Sequence, residues 1–168
     1  MFFFGTQEDY LIYYLIDDMH IELLNDCQLD LNRLTTYLKE VNNDFKVPLS
    51  TKNSINTIAQ KLLRHGNVFI AVENNIDTAM VGFYCNDTIK KTAYFSILTC
   101  KSSYRGKGIA KKLVYQMITT CRHKGMDFIE CNSTNPIAIA LYSSLGFLIE
   151  RKEKDIYNNI VSYLRLKL

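Results

Sequence analysis

Tyr104-Arg105-Gly106-Lys107-Gly108-Ile109-Ala110 stands where the hydrophobic period of the chain changes, and its reading decides the fold. Before it, Thr92-Ala93-Tyr94-Phe95-Ser96-Ile97-Leu98 has the β-branched and aromatic content of a strand. After it, Ile109, Leu113, Val114, Met117, Ile118 and Cys121 form an apolar stripe at helical spacing, with a helix end expected near Gly125. A further strand, Phe128-Ile129-Glu130-Cys131, follows at once. Strand, turn, helix and strand in this order make a crossover unit, so the two strands run parallel. Such a turn gathers backbone N–H groups, unpaired at the helix start, toward one point, and that point attracts phosphate. Gly106 and Gly108 permit positive φ and close backbone approach, while Arg105 and Lys107 add positive charge. A Walker loop needs Ser or Thr after Gly-Lys at the helix start, and Gly108 is followed by Ile109. A dinucleotide fingerprint needs a third small residue where this chain has Lys111.

Upstream, Val68–Val72, Ala79–Tyr84 and Thr92–Leu98 read as three successive antiparallel strands, with polar turns at Asn74-Asn75 and Asn86-Asp87. The first 65 residues read as mainly helical after a short strand at Phe2–Phe4, with a capping signal at Thr6-Gln7-Glu8-Asp9. Leu11, Leu15, Met19 and Leu23 recur every four residues as a first helix. A second helix spans about Asp30 to Val41, and a third runs from a Ser50 cap to just before Gly66. Downstream come a shorter helix, Asn135 to Leu145, and closing strands near Phe147–Arg151 and Tyr157–Leu166. The expectation is one α+β domain over residues 1–168: a mixed, mostly antiparallel sheet of about six or seven strands with helices on both faces.

Composition narrows the function. Twenty Lys and Arg against 17 Asp and Glu leave a formal charge of +3, too little for a dedicated nucleic-acid binder but suited to an anionic ligand. No apolar run approaches the roughly 20 residues of a membrane span, and Met1–Phe4 lacks the features of a signal peptide. The five cysteines are scattered, without a C-x-x-C pair, and read as reduced thiols. The three histidines have no metal-ligand spacing, so no metal is expected. These features point to a cytoplasmic protein with no nucleic-acid or membrane partner.

A second segment, Asn135-Pro136-Ile137-Ala138-Ile139-Ala140-Leu141-Tyr142-Ser143-Ser144-Leu145-Gly146-Phe147, has proline at a first helical turn and glycine at a C-terminal cap. Together with the glycine turn it resembles the GCN5-related N-acetyltransferase (GNAT) superfamily. That family's motif A places Arg or Gln, Gly, and Gly or Ala where this chain has Arg105, Gly108 and Ala110; motif B resembles Asn135–Phe147. The resemblance covers about Ala79 to Phe147. Lys101-Ser102-Ser103 stands where many members carry a proline.

The resemblance implies acetyl-CoA as donor. Its pyrophosphate would lie on the backbone of Arg105, Gly106, Lys107, Gly108, Ile109 and Ala110, and its pantetheine would pair with Leu98, Thr99 and Cys100. It also implies a cleft between Ile97-Leu98-Thr99 and Cys131-Asn132, Asn135 as a cofactor contact, and Tyr142 as cofactor contact and general acid to the departing sulfur. Residues 66–168 then form the acetyl-CoA-binding core and residues 1–65 a divergent acceptor-side segment. The implied reaction is direct attack of a primary amine on the thioester through a tetrahedral intermediate. The chemistry leaves Glu73, Glu130, or a water held by Tyr94, Ser96 or Asn132 as the base. A covalent route through Cys100 or Cys131 lacks a histidine nearby in sequence. Asp17, Asp18 and Glu22, on the first helix, either meet a cationic acceptor or form a solvated face. Two alternatives stand beside this one: a non-catalytic CoA-binding sensor or interaction module, and an N-acyltransferase for another acyl-CoA. The strand edges of the closing hairpin admit a homodimer without requiring one.

Overall fold

The computed structural model describes residues 19–51 and 53–168. Among them, seven strands form one mixed sheet in the order β1-β2-β3-β4-β5-β7-β6. The strands are β1 (Met19–Leu24), β2 (Asn67–Glu73), β3 (Ile76–Tyr84), β4 (Thr92–Cys100), β5 (Phe128–Ser133), β6 (Leu148–Lys154) and β7 (Ile160–Lys167). The helices are α1 (Gln28–Glu40), α2 (Ile55–His65), α3 (Ile109–His123) and α4 (Pro136–Ser144). Every strand pair is antiparallel except β4 and β5, the two strands joined by the α3 crossover.

The period-two pattern of β2 explains the layering, because its side chains enter two separate cores. Val68, Ile70 and Val72 join Leu34, Leu38 and Leu62 beneath α1 and α2. Phe69 and Ala71 join Leu113, Val114 and Met117 beneath α3 on the opposite face. A strand buried on both faces reads as a continuous apolar run, as Val68-Phe69-Ile70-Ala71-Val72 does.

The first 65 residues depart from the sequence reading at two points. Met19–Leu24 is not helical: it pairs with β2 from Met19↔Glu73 to Leu24↔Val68 and forms the sheet edge. Its alternation of Met19, Ile21 and Leu23 with His20 and Glu22 is a strand signal that the four-residue recurrence of leucines obscures. Glu22 therefore lies on a strand, where Arg33 bonds its carboxylate at 2.6 Å; Arg33 is the first cause holding Glu22 below its ordinary range. Ser50 falls in a short 3₁₀ turn, and α2 is capped instead by Ser54, whose Oγ accepts from the Thr57 N–H at 3.1 Å. The strand expected at Phe2–Phe4, the cap at Thr6–Asp9, the start of the first helix, and Asp17 and Asp18 lie outside the described residues. Among the described residues no helix is long and apolar enough to cross a membrane.

Candidate active site

Two strands that begin as neighbours and then part create the site. β4 pairs with β5 only through Thr92↔Phe128, Ala93↔Ile129 and Tyr94↔Glu130. Beyond Tyr94, the edge of β4 that faces β5 has no strand partner among the described residues, while β5 continues along β7 to Ser133. The break coincides with a bulge: Gly82 pairs with Ile97 and Phe83 with Phe95, so Ser96 is an extra residue in β4. A bulge bends its strand and increases the local twist, which turns the upper half of β4 away from β5. The upper half, Phe95 to Cys100, therefore offers backbone groups without a strand partner among the described residues along one edge of a cleft.

At the upper end of β4 the chain passes through a 3₁₀ turn, Ser102–Tyr104, into the glycine turn. Gly106 and Gly108 both adopt left-handed backbone, with φ of +80° and +78°. A Cβ placed on either would find no atom within 4 Å, so the turn presents bare backbone to open space. Gly108 occupies the N-cap of α3, which has no side-chain cap and no acidic residue in its first turn. The orphan N–H groups of a 15-residue helix therefore face outward with its positive dipole end. Arg105 and Lys107 flank them, Arg105 on Asp44 at 2.8 Å and Lys107 on Glu73 at 3.4 Å. Exposed ion pairs contribute at most about 1 kcal/mol, so an anion exchanges with these carboxylates at little cost. The residues present fit a pyrophosphate.

The other residues singled out in the sequence fall into two groups. Leu98, Thr99 and Cys100 lie on the free half of β4 as expected, with two of their polar groups already engaged. The Thr99 hydroxyl bonds the buried Tyr37 hydroxyl at 2.8 Å, and the Cys100 carbonyl accepts from Arg105 Nε at 2.9 Å. Ile109 is buried in the core under α3, and Ala110 is half-buried beside it. Asn135 caps α4, its Oδ1 accepting from the Ile137 N–H at 2.9 Å. Tyr142 is buried between strands and α4, its ring edge-on to Phe95 at 5.0 Å and tilted against Phe147 at 5.9 Å. Burial, and then Cys131, push its phenol well above the ordinary range.

Glu73 and Glu130 do not share a site. β2 and β5 are three strand spacings apart, about 14 Å at the usual separation, and Glu73 stands at the glycine-turn end against Lys107. Glu130 lies where β4 and β5 part and lines two adjoining cavities, of about 570 Å³ and about 170 Å³. Over β5, β7 and β6 it belongs to a floor that is open among the described residues, with Tyr94, Asn132, Tyr163, Arg165 and Arg151. Asn132 donates to the Tyr94 hydroxyl at 3.1 Å and so bridges the two strands at the mouth of the cleft. Tyr163, Arg165, Arg151 and Tyr37 had no motif to mark them: the first three gain a role from strand register, and Tyr37 from a contact 62 residues away.

Cys131 and Cys100, the two cysteines near the cleft, do not suit a nucleophilic role. Burial pushes Cys131 up to about 12 and also raises Cys100. At neutral pH about one Cys131 in 10⁵ would be a thiolate, and the thiolate is the reactive form.

A mixed sheet with a bulged, splayed strand pair and an anion-binding turn at the crossover helix defines an acyl-CoA N-acyltransferase fold. The family model described as Acetyltransferase (GNAT) family matches residues 32–147, and the chain belongs to that family. Over 100 residues it is 30% identical to N-alpha-acetyltransferase 30 of Saccharomyces cerevisiae, a match covering 54% of this chain and 57% of that protein. The chain thus spans little more than half of that relative's length. Solved structures of the same fold include the ribosomal-protein-S18-alanine N-acetyltransferase of Escherichia coli, with a TM-score of 0.72 and 19% identity over 89% of this chain and 93% of that one. The NatC complex bound to Gag peptide and CoA superposes with a TM-score of 0.68 and 22% identity over 89% of this chain and 99% of that one.

Proposed function

We propose that the chain transfers the acetyl group of acetyl-CoA to the N-terminal α-amine of a peptide or protein. The observation that carries this reading is the parting of β4 from β5 after Tyr94, with the bare glycine turn at the far end of the same strand. A strand edge leading from an anion site to a cleft suits a ligand with a pyrophosphate at one end and a thioester at the other. The similarity to an N-alpha-acetyltransferase supports a peptide α-amine as acceptor, and the open floor over β5, β7 and β6 has room for an extended chain.

When bound, acetyl-CoA supplies an activated acetyl group. The chain's own residues must then accept a proton from the amine and stabilise the leaving sulfur. An α-amine loses its proton near pH 8 and a lysine amine near 10.4, so a carboxylate of modest basicity suffices for the former. Glu130 is the base in this reading, because it alone of the two candidate glutamates borders the cleft. Tyr142 holds its hydroxyl protonated through burial. Transfer from so weak an acid to a thiolate whose conjugate acid lies near 8.5 is uphill. Tyr142 therefore acts chiefly as a hydrogen-bond donor to the sulfur. Five free cysteines favour a reducing, cytoplasmic setting.

Free-thiol release from acetyl-CoA should be followed with three acceptors: a peptide with a free N-terminus, the same peptide N-terminally blocked but containing lysine, and small amines. Release only with the free N-terminus is the expected result. Release with small amines alone would overturn the acceptor assignment. Binding of acetyl-CoA with no release for any acceptor would make the chain a CoA-binding module.

A further inference from the structure

We propose that Arg165 is the positioning residue that orients the Glu130 carboxylate toward the acceptor amine. The inference rests on the acyl-transfer reading above, with Glu130 as its base.

Arg165 stands directly opposite Glu130 in the β5–β7 register, so both side chains rise from the same face of the sheet. Its guanidinium carbon lies 3.8 Å from the centre of the Phe128 ring, two residues before Glu130 on the same face of β5. Contact with that ring restricts the guanidinium and so limits the directions open to its N–H groups. From there Nε lies 3.5 Å from Glu130 Oε1, and Nη1 lies 3.7 Å from Glu150 Oε1. Glu150 reaches this point because it is the extra residue of a bulge in β6, where Ile149 pairs with Leu164 and Arg151 with Tyr163.

The Nε of Arg165 is buried and, beyond the long ion pair to Glu130, makes no hydrogen bond among the described residues. A buried donor without a well-formed hydrogen bond is rare in folded proteins, and here the carboxylate opposite it is the acceptor within reach. Glu130 Oε1 needs to approach by only about 0.5 Å to reach ordinary hydrogen-bond distance. Closing that gap would hold one carboxylate oxygen in place and leave Oε2 to accept the proton of the attacking amine. Of the other charged or titratable groups lining the cavities around Glu130, Tyr84 pairs with Tyr94 from β3, Asp87 and Lys90 lie in the loop that precedes β4, and Arg151 lies over the Tyr163 ring. Arg165 is the cation whose register, contact with the Phe128 ring and Nε all converge on Glu130.

A double-mutant cycle in steady-state kinetics, with direct measurement of the acetyl-CoA Kd, tests this. Arg165→Met should lower kcat about tenfold, the modest end of general acid–base effects, without changing the acetyl-CoA Kd. Arg165→Lys should recover only part of the loss, because an ammonium keeps the charge but not the planar fork. In a Glu130→Gln background Arg165→Met should add nothing, since a residue acting through Glu130 has no target once the carboxylate is gone. An equal further drop in that background, or wild-type kcat in Arg165→Met, would overturn the proposal. Wild-type kcat in Glu130→Gln alone would instead remove Glu130 as the base and with it the reading beneath. If loss of acetyl-CoA binding shows that Arg165→Met does not fold, Arg165→Lys takes its place in the cycle under the same two criteria.

Discussion

Gly108→Ala separates ligand binding from folding at a single atom. Gly108 sits at φ +78°, and a Cβ there meets nothing within 4 Å, so the cost to the free protein is backbone strain alone. Left-handed backbone costs a non-glycine residue about 1–2 kcal/mol. For a domain of this size that corresponds to a fall in Tm of about 2–8 °C. The same methyl group would project into the space where a phosphate must approach the first amides of α3. Loss of one hydrogen bond to a charged group costs about 1.5–3 kcal/mol, which is about 10- to 150-fold in Kd. Gly125, just beyond the other end of α3, provides the control: its φ is +72° and its added Cβ also meets nothing within 4 Å. Gly125→Ala should lower Tm by a similar amount and leave CoA affinity unchanged. Calorimetric titration with CoA and thermal melts of both variants give the four numbers required. CoA affinity in Gly108→Ala within twofold of wild type, or an equal loss in Gly125→Ala, would refute the placement of the pyrophosphate.

Tyr142→Phe should retain acetyl-CoA affinity and lower kcat about 10- to 100-fold; unchanged turnover at saturating acetyl-CoA would remove the hydroxyl from the mechanism. Tyr37→Phe strands the buried Thr99 hydroxyl, which Tyr37 bonds at 2.8 Å. It should lower unfolding stability by about 1–3 kcal/mol in urea titrations, and a smaller change would mean that water replaces the phenol. Cys131 is raised by burial from its ordinary value near 9 to about 12. A raised thiol contributes stability that is complete below pH 9 and is lost as pH climbs toward 12, because the unfolded chain ionises first. The urea midpoint of wild type should therefore fall more steeply than that of Cys131→Ala between pH 9 and 11, and parallel curves would contradict the burial argument.

The crossover half of the molecule was legible because its signals are local. The period-two runs from Val68 onward, the glycine turn, the stripe from Ile109 to Cys121 and the proline-capped α4 each carry their own chemistry, and the structure places each where the sequence reading did. The segment before Gly66 was harder, because its structure depends on distant partners. Met19–Leu24 is a strand through its ladder to β2, although leucines four apart extend a helical pattern across it. Ser50 and Ser54 both precede plausible helix starts, and only the bond from Thr57 to Ser54 distinguishes them.

The site divides along the same line. Its glycine-turn end is written in consecutive residues, whereas the floor around Glu130 is assembled by register. Glu130 could be named in the sequence, yet nothing there separated it from Glu73; strand order does so by putting three strand spacings between them. Arg165 had no motif at all, and its position opposite Glu130 follows from how β7 inserts between β5 and β6. The splay itself depends on a single extra residue, Ser96, which no periodicity marks within Thr92–Leu98.

Tandem mass spectrometry of a peptide with a free N-terminus and an internal lysine, after incubation with the protein and isotopically labelled acetyl-CoA, tests the central claim most directly. The account predicts one labelled acetyl group per peptide, on the N-terminal nitrogen, formed at a rate that Glu130→Gln lowers sharply. Label on the lysine side chain, or none on the peptide while acetyl-CoA remains bound to the protein, would contradict it.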